Sequence, residues 1–472
     1  MPTADREHAD WLRTHRPDLA TRFTAALPGA RAAVLARLWG AIHREPLPNT
    51  SGVTGPAAAA EPFADVETLT VNGFERPADL AAHLWPQQKA FAAELDNSVA
   101  NLALARAAAE GAAADVTAGD DLVDAEQSIV DGHPLHPCCR TRTGMSAADV
   151  LAYAPEHRPT VELPVIAVPA DRWTGTMPPR LPMHPWQWER VRDTYPWLRD
   201  TGERCSARPL MSLRTLATAD AHLKTAVRIG MTSATRTVSA AAVHNGPALS
   251  RLLAPLTGLG ILAERAAGAV LVDGGPSRDL AVVVRDAPVL GPGERALPVA
   301  ALTAGRPRVD DLTDDPVAFL RAFAGLLLPP LFHLLDLGVG LEAHGQNLVL
   351  VLRGGQPHRL LYRDFGGVRV SPRILETHGI EAPPLLGDVP CDDPAELETK
   401  VLASAVATVL AGLVAYLSRR FHTEPATLWA AVPAPRRLTA RADLPLKAMT
   451  AMRLADTVDD IWTHVPNPLA DP

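Results

Sequence analysis

The sequence predicts an α+β protein, and three observations carry that expectation. Residues 1–128 place apolar side chains at helical spacing. The stretch after residue 126 breaks into short apolar runs punctuated by proline. The last third sets apolar helical segments around one strong hairpin pattern. At 472 residues the chain can hold two or three domains with ample core. Its 47% hydrophobic and 21% charged content is that of an ordinary globular chain. A net charge of −8 argues against a general nucleic-acid binder, which needs a basic face, but leaves room for an anion in a locally basic cleft.

The helical pattern covers residues 10–19, 31–43 and 86–116, interrupted by an exposed Pro/Gly/Ala-rich loop over 46–62. Chemistry-bearing clusters are absent there, so this part reads as scaffold or dimer surface. Strands of a mainly antiparallel sheet are expected at 161–168, 224–231, 269–272 and 280–284. The third region should open with a buried helix pair over 319–337 and end in helices over 396–421 and 444–462. Residues 319–341 carry Arg321, Pro329, Pro330, His333 and Asp336, which makes them a poor membrane span. The polar first residues lack a signal-peptide core. Four cysteines (Cys138, Cys139, Cys205, Cys391) without a Cys-x-x-Cys pair fit a reduced, cytoplasmic protein.

Three clusters could do chemistry. Gly132-His133-Pro134-Leu135-His136-Pro137-Cys138-Cys139-Arg140-Thr141-Arg142-Thr143-Gly144 concentrates two imidazoles and two guanidiniums, a compact anion-binding surface in which the arginine forks suit phosphate oxygens. Zinc is the rival reading, although four donors within seven residues can hardly wrap into a tetrahedron. A purely structural His-Pro turn is the other. The run from Lys224 through Thr232-Ser233-Ala234-Thr235-Arg236-Thr237 takes a strand into a hydroxyl-rich turn that could cradle a triphosphate. No Walker loop and no Gly-x-Ser-x-Gly elbow is present.

The third cluster is the most informative. Glu342-Ala343-His344-Gly345-Gln346-Asn347 precedes an apolar run, a Gly354-Gly355-Gln356-Pro357 turn, a second apolar run, and Arg363-Asp364-Phe365. A hairpin there brings Asn347 and Asp364 side by side. Hard oxygen donors in that arrangement suit Mg²⁺ held together with nucleotide phosphates. A polar loop flanking an ordinary hairpin is the plain alternative. The pattern echoes a kinase, but the aspartate a kinase places before its asparagine is missing. Mg-ATP without a base for an alcohol points to other chemistry, in which a substrate carboxylate attacks ATP and needs charge screening and alignment. A small-molecule phosphotransferase is the runner-up.

Taken in order along residues 130–470, these motifs resemble the aerobactin-synthetase-like family of NRPS-independent siderophore synthetases. Carrying the likeness are Gly132 to Pro137 with Arg140, Arg142 and Gly144; Leu181-Pro182-Met183-His184-Pro185-Trp186-Gln187; Thr232 to Thr237; Glu342 to Asn347; Arg363 to Gly367; Lys447 to Arg453; and Asn467 to Leu469. The resemblance implies a cupped hand: a helical thumb over 1–128, β-rich fingers over 129–315 that hold the ATP phosphates, and a mixed helical palm over 316–472. It implies an AMP-forming ligase that adenylates a citrate-like or other carboxylic acid and passes it to an amine or hydroxyl, with release of pyrophosphate. Siderophore biosynthesis in the cytoplasm, a homodimer, no membrane and no nucleic acid go with it. ATP and Mg²⁺ would be its cofactors. His133, His136, Arg140, Arg142, Ser233, Thr235, Arg236, Thr237, Gln346, Asn347 and Asp364 would bind nucleotide. Asn347, Asp364 and Glu342 would hold metal, and His344, Lys447 and Arg236 would be catalytic. Two departures stand out: Arg140 replaces the family's usual lysine, and the N-terminal part and residues 379–390 are shortened.

Overall fold

The computed structural model describes residues 3–112, 122–231, 234–457 and 459–471. Helices Ala4–His15, Pro17–Arg44, Pro77–Leu84 and Lys89–Ala112 form the N-terminal part. The single helix expected over 10–19 is two, because Arg16 leaves helical geometry (φ −143) and Pro17 restarts the chain at a first-turn position, where its missing N–H is no loss. Leu12, Phe23, Leu35, Leu38, Phe91, Leu95 and Leu102 are fully buried between these helices. The same core takes in Ala448, Ala451 and Leu454, so the far end of the chain is built into its beginning.

The middle of the chain is an eight-stranded antiparallel sheet. Its strand order is Trp173–Gly175, Glu264–Val272, Gly275–Asp286, Ala221–Thr225, Thr215–Ala217, Arg199–Pro209, Val161–Ala167 and Arg180–Pro182. The strands expected at 161–168, 269–272 and 280–284 lie within it. The one expected over 224–231 does not run through: it leaves the sheet after Thr225, and Val227 N–H donates to Arg236 O at 2.9 Å instead. Val227, Ile229 and Met231 are buried against the N-terminal helices. The alternation was real, but a helix core, rather than the sheet, satisfied it.

In the last part, Leu348–Arg353 and Gln356–Tyr362 pair antiparallel as expected. The turn is tighter than its sequence suggested, only Gly354-Gly355, at φ 57 and 79. Two positive φ values in a row are what a two-residue hairpin demands, and glycine adopts them without strain. The expected helix pair over 319–337 is one helix, Pro316–Asp336, with Pro329 and Pro330 inside it. An interior proline costs roughly 3 kcal/mol, but fully burying each leucine-sized side chain returns about 1.5–3 kcal/mol, and Leu327, Leu328, Leu331 and Leu334 are all buried. Pro394–Val401 continues through a π-helical stretch, Leu402–Leu410, into Ala411–Phe421. Pro316–Asp336 and Pro394–Phe421 are long and apolar enough to cross a membrane, yet both run through the largest core. The expected helix over 444–462 is corrected: Asp443–Lys447 and Trp462–Pro466 form an antiparallel pair around a short helix, Met449–Ala455. Pro445 and the alternation Leu444, Leu446 favour a strand there.

Candidate functional site

The hairpin brings its open ends together as the sequence implied: Arg363 N–H donates to Asn347 O at 3.0 Å. Arg363 itself is structural. Its guanidinium grips Gln346 O at 3.0 and 2.9 Å and pairs with buried Glu126 at 2.6 Å, which fixes the 342–347 loop. Asp364 follows in a left-handed conformation, φ 72, which aspartate tolerates better than most residues and which marks functional sites. Its carboxylate lies 2.8 Å from Lys224 Nζ and 3.1 Å from Arg285, itself paired with Glu264 at 2.8 Å. Burial alone would raise the Asp364 carboxyl, but Lys224, Arg285 and Arg214 outweigh it and hold it well below the usual range. The loop 364–367 also approaches Glu342. A side chain at Gly367 would collide with Glu342 Oε2, so glycine there lets a second carboxylate reach the site.

These groups line a cavity of about 270 Å³ that gathers Arg214, Lys224, Arg236, Arg278, Arg285 and Arg363 against Glu126, Glu342 and Asp364. Six cations against three anions leave its lining net positive. It adjoins a larger cavity of about 1410 Å³, and Ser212, Arg236, Glu342, His344 and Gln346 line both. The larger one lies between the N-terminal helices and the last part of the chain, and the π-helical stretch contributes Ser404 and Thr408 to its wall.

Two imidazoles on that wall have their tautomers fixed by the backbone. Gln346 N–H donates to His344 Nδ1 at 3.2 Å, and the N–H groups of Leu135 and His136 donate to His133 Nδ1 at 3.2 Å. An Nδ1 that accepts leaves the proton of a neutral ring on Nε2. Burial, reinforced by His344 and Arg37, pushes His133 down to about 3. Burial also lowers His344, against the pull of Glu342 and Asp364. Both rings are therefore N–H donors rather than bases. Lys447 completes the wall, its Nζ 2.6 Å from Asp460 and 3.7 Å from Glu342. Burial would lower its ammonium, but Glu342 and Asp460 raise it, so it stays charged.

The segment that carries Lys447 is held by the N-terminal helices. Ala451 N–H donates to Glu45 at 2.8 Å, Arg453 forks onto Glu94 at 2.7 and 2.5 Å, and Gln88 donates to Leu454 O at 3.0 Å. Arg37 donates to His133 O at 3.0 Å. The N-terminal part, expected to be scaffold or dimer surface, thus shapes the site wall.

Of the remaining sequence candidates, Thr237 and Arg236 line the smaller cavity. Thr235 is exposed and His136 is buried behind the wall, its Nδ1 accepting from Cys138 N–H at 2.9 Å; both lie off the two cavities. Ser233 lies outside the described residues. Arg140 and Arg142 line the larger cavity, but their forks are already engaged. The Arg140 fork is committed to Val130 O at 2.6 Å, Glu156 at 3.1 Å and Ile129 O, and Arg142 shares Glu156 at 3.5 Å. The pair fixes the loop through these contacts. The zinc alternative also fails: among the described residues no three His, Cys, Asp or Glu side chains converge on a metal position, and burial pushes the Cys138 thiol up, away from a thiolate. Arg214 and Arg285, which the sequence reading missed, come from separate segments. The one signal for Arg285 was a charged residue after an apolar strand run, which a buried strand admits only when paired.

Two family profiles match the chain. The IucA / IucC family covers residues 121–180 and 179–304, and the ferric iron reductase FhuF-like transporter family covers 317–448. Staphyloferrin A synthase of Staphylococcus aureus is 26% identical over 319 residues, covering 54% of this chain and 54% of that protein. The chain spans about half the length of the curated relatives it matches. The petrobactin biosynthesis protein AsbB from Bacillus anthracis str. Sterne superposes with a TM-score of 0.80 at 19% identity, over 96% of this chain and 98% of that one. ATP-bound aerobactin synthetase IucA from a hypervirulent pathotype of Klebsiella pneumoniae gives 0.71 at 20% identity, over 84% and 86%. At these identities the structures establish the fold.

Proposed function

Because the chain belongs to the family of NRPS-independent siderophore synthetases, we propose that it is an ATP-dependent, AMP-forming ligase joining a di- or tricarboxylic acid to an amine or hydroxyl. The observation that carries this reading is the junction of a small cation-rich cavity with a large one at Arg236, Glu342, His344 and Gln346. A triphosphate and a polycarboxylate repel one another, and only a dense set of cations lets them meet.

ATP would place its phosphates among Lys224, Arg214, Arg236, Arg285 and Thr237. The acid would lie in the larger cavity, its reacting carboxylate oriented by the His133 and His344 N–H groups and by Lys447. A carboxylate oxygen attacks the α-phosphorus, the bond from that phosphorus to the bridging oxygen breaks, and pyrophosphate leaves. The amine or hydroxyl then attacks the acyl carbon, AMP departs with the former carboxylate oxygen, and the nucleophile's proton goes to solvent. No step asks for a strong base, which agrees with imidazoles held as donors.

The oxygen donors around Gly366 and Gly367 fit Mg²⁺. Asp364 and Glu342 converge on that turn, and Asn347, whose Nδ2 donates to Glu342 O at 3.1 Å, lines the same cavity with them. A bound Mg²⁺ would screen the phosphates, with few protein ligands needed. We also read the chain as a cytoplasmic homodimer with a thumb, fingers and palm divided near residues 128 and 315.

ATP–pyrophosphate exchange tests the reading, with citrate, 2-oxoglutarate and succinyl-amines as the acids. Exchange that depends on one of these acids, with AMP as the nucleotide product of full turnover, is expected. No exchange with any acid would sink the ligase, and ADP as product would return the phosphotransferase.

A further inference from the structure

Four of the chain's 45 basic side chains are lysines. One, Lys89, is exposed. The other three converge on the site: Lys224 in the smaller cavity, Lys400 and Lys447 on the wall of the larger. A chain that uses arginine almost everywhere else has the compact ammonium on the walls of these two cavities. Lys224 and Lys447 already have places in the proposed reaction. Lys400 has none.

Lys400 lies in the Pro394–Val401 helix and is 4% exposed. Its ammonium meets one oxygen of Asp460 at 2.5 Å, while Lys447 meets the other at 2.6 Å. Trp462 covers it from 5.8 Å. Asp460 is not part of the cavity wall, but both lysines are. One carboxylate therefore holds two ammoniums from behind, and the other carboxylate near the pair is Glu342, 3.7 Å from Lys447 on the cavity wall, which in the proposed reaction faces Mg²⁺. Ionising a buried lysine is costly unless anions compensate it, and Lys400 has Asp460 alone, shared with Lys447, so an anion in the cavity would add to its compensation. Both ammoniums meet the same carboxylate and both side chains line the same cavity, so a second carboxylate could bridge them from the cavity side.

We propose that Lys400 binds the non-reacting carboxylate of the acid substrate, shared with Lys447, and so selects di- and tricarboxylates over monocarboxylates. The inference rests on the proposed ligase reading and names its specificity-determining residue.

The test compares the acid that supports exchange with its half-amide, which keeps the reacting carboxylate and lacks the second one. For the full-length parent, kcat/KM in acid-dependent exchange should favour the acid at least 30-fold. Lys400→Gln, which keeps a hydrogen-bond donor for Asp460 and removes the charge, should cut that preference below threefold. The change should fall on KM for the acid, with KM for ATP within twofold of the parent. Asp460→Asn should act in the opposite direction, holding or increasing the preference, because it uncovers both ammoniums. If the parent exchanges but Lys400→Gln keeps the preference, this inference fails and the ligase stands. A parallel rise of both KM values in both variants would make the bridge merely structural and equally overturn it. A parent that exchanges with no acid removes the ligase and this inference together.

Discussion

Replacing Asp364 by asparagine isolates a single charge at the point where sheet and hairpin meet. Asparagine accepts a left-handed φ nearly as well as aspartate, so the backbone at φ 72 is preserved and only the carboxylate is lost. That carboxylate lies 2.8 Å from Lys224 and 3.1 Å from Arg285. Removing one member of a buried ion pair costs roughly 3–5 kcal/mol. Two features place this case at the lower end: Arg285 keeps Glu264 at 2.8 Å, and the Asp364 side chain retains 26% exposure. We expect a loss of about 3 kcal/mol, measured by urea denaturation of parent and variant without nucleotide. The pH dependence has a definite sign. Although burial opposes it, the three cations depress the folded pKa, so the stabilisation is present above the unfolded value of about 3.9 and is lost as pH falls toward the folded one. The gap between parent and variant should be full at pH 7 and at pH 5, and should narrow only below about pH 4. Mg²⁺-dependent exchange should fall by more than about 100-fold, the scale of losing one preorganised charge at a reacting centre. A gap under about 0.5 kcal/mol at pH 7, the size of an ordinary surface substitution, or one that closes between pH 7 and pH 5, would refute the ion-pair argument.

Three further outcomes follow from the same geometry. Lys224→Met should raise KM for ATP by roughly 10-fold or more, the worth of a charged hydrogen bond, and leave KM for the acid unchanged in steady-state exchange. His344→Ala should slow exchange by about 100- to 1,000-fold through loss of one N–H donor; because burial lowers the parent imidazole, the parent's exchange rate should show no limb rising through pH 6.5. Glu45, at the end of the Pro17–Arg44 helix, is pushed up to about 7 by burial, which outweighs its hydrogen bonds from Ala451 and Thr450. A raised carboxyl stabilises the fold while protonated and loses that advantage as pH climbs through 7, so Glu45→Gln should gain roughly 2–3 kcal/mol over the parent at pH 8 and nothing near pH 4. Thermal unfolding of both proteins across that range checks it.

Much of the candidate site was legible because it is local. The 342–365 segment carries its own hairpin, with apolar runs of the right length around a Gly-Gly turn, so the closeness of Asn347 and Asp364 follows from short-range pairing. Periodicity misled where burial came from an unforeseen partner. Val227, Ile229 and Met231 alternate like a strand but bury against helices, and residues 444–462 contain a strand pair that closes only with Trp462–Pro466. Arg140 lines the larger cavity, but nothing near it in sequence announces Glu156 or the carbonyls of Ile129 and Val130 as its partners.

By itself, the sequence determined the α+β class, the hairpin with its two oxygen donors and the order of the cationic motifs, since each depends on turn geometry or on side chains a few residues apart. Tertiary structure alone decided which charges meet. Lys224 reaches Asp364 across 140 positions and Arg453 reaches Glu94 across 359, and no local rule links residues so distant. Those contacts form because burying the apolar faces of helices and sheet brings the backbones together, and a charge carried inward with them must find its counter-charge there.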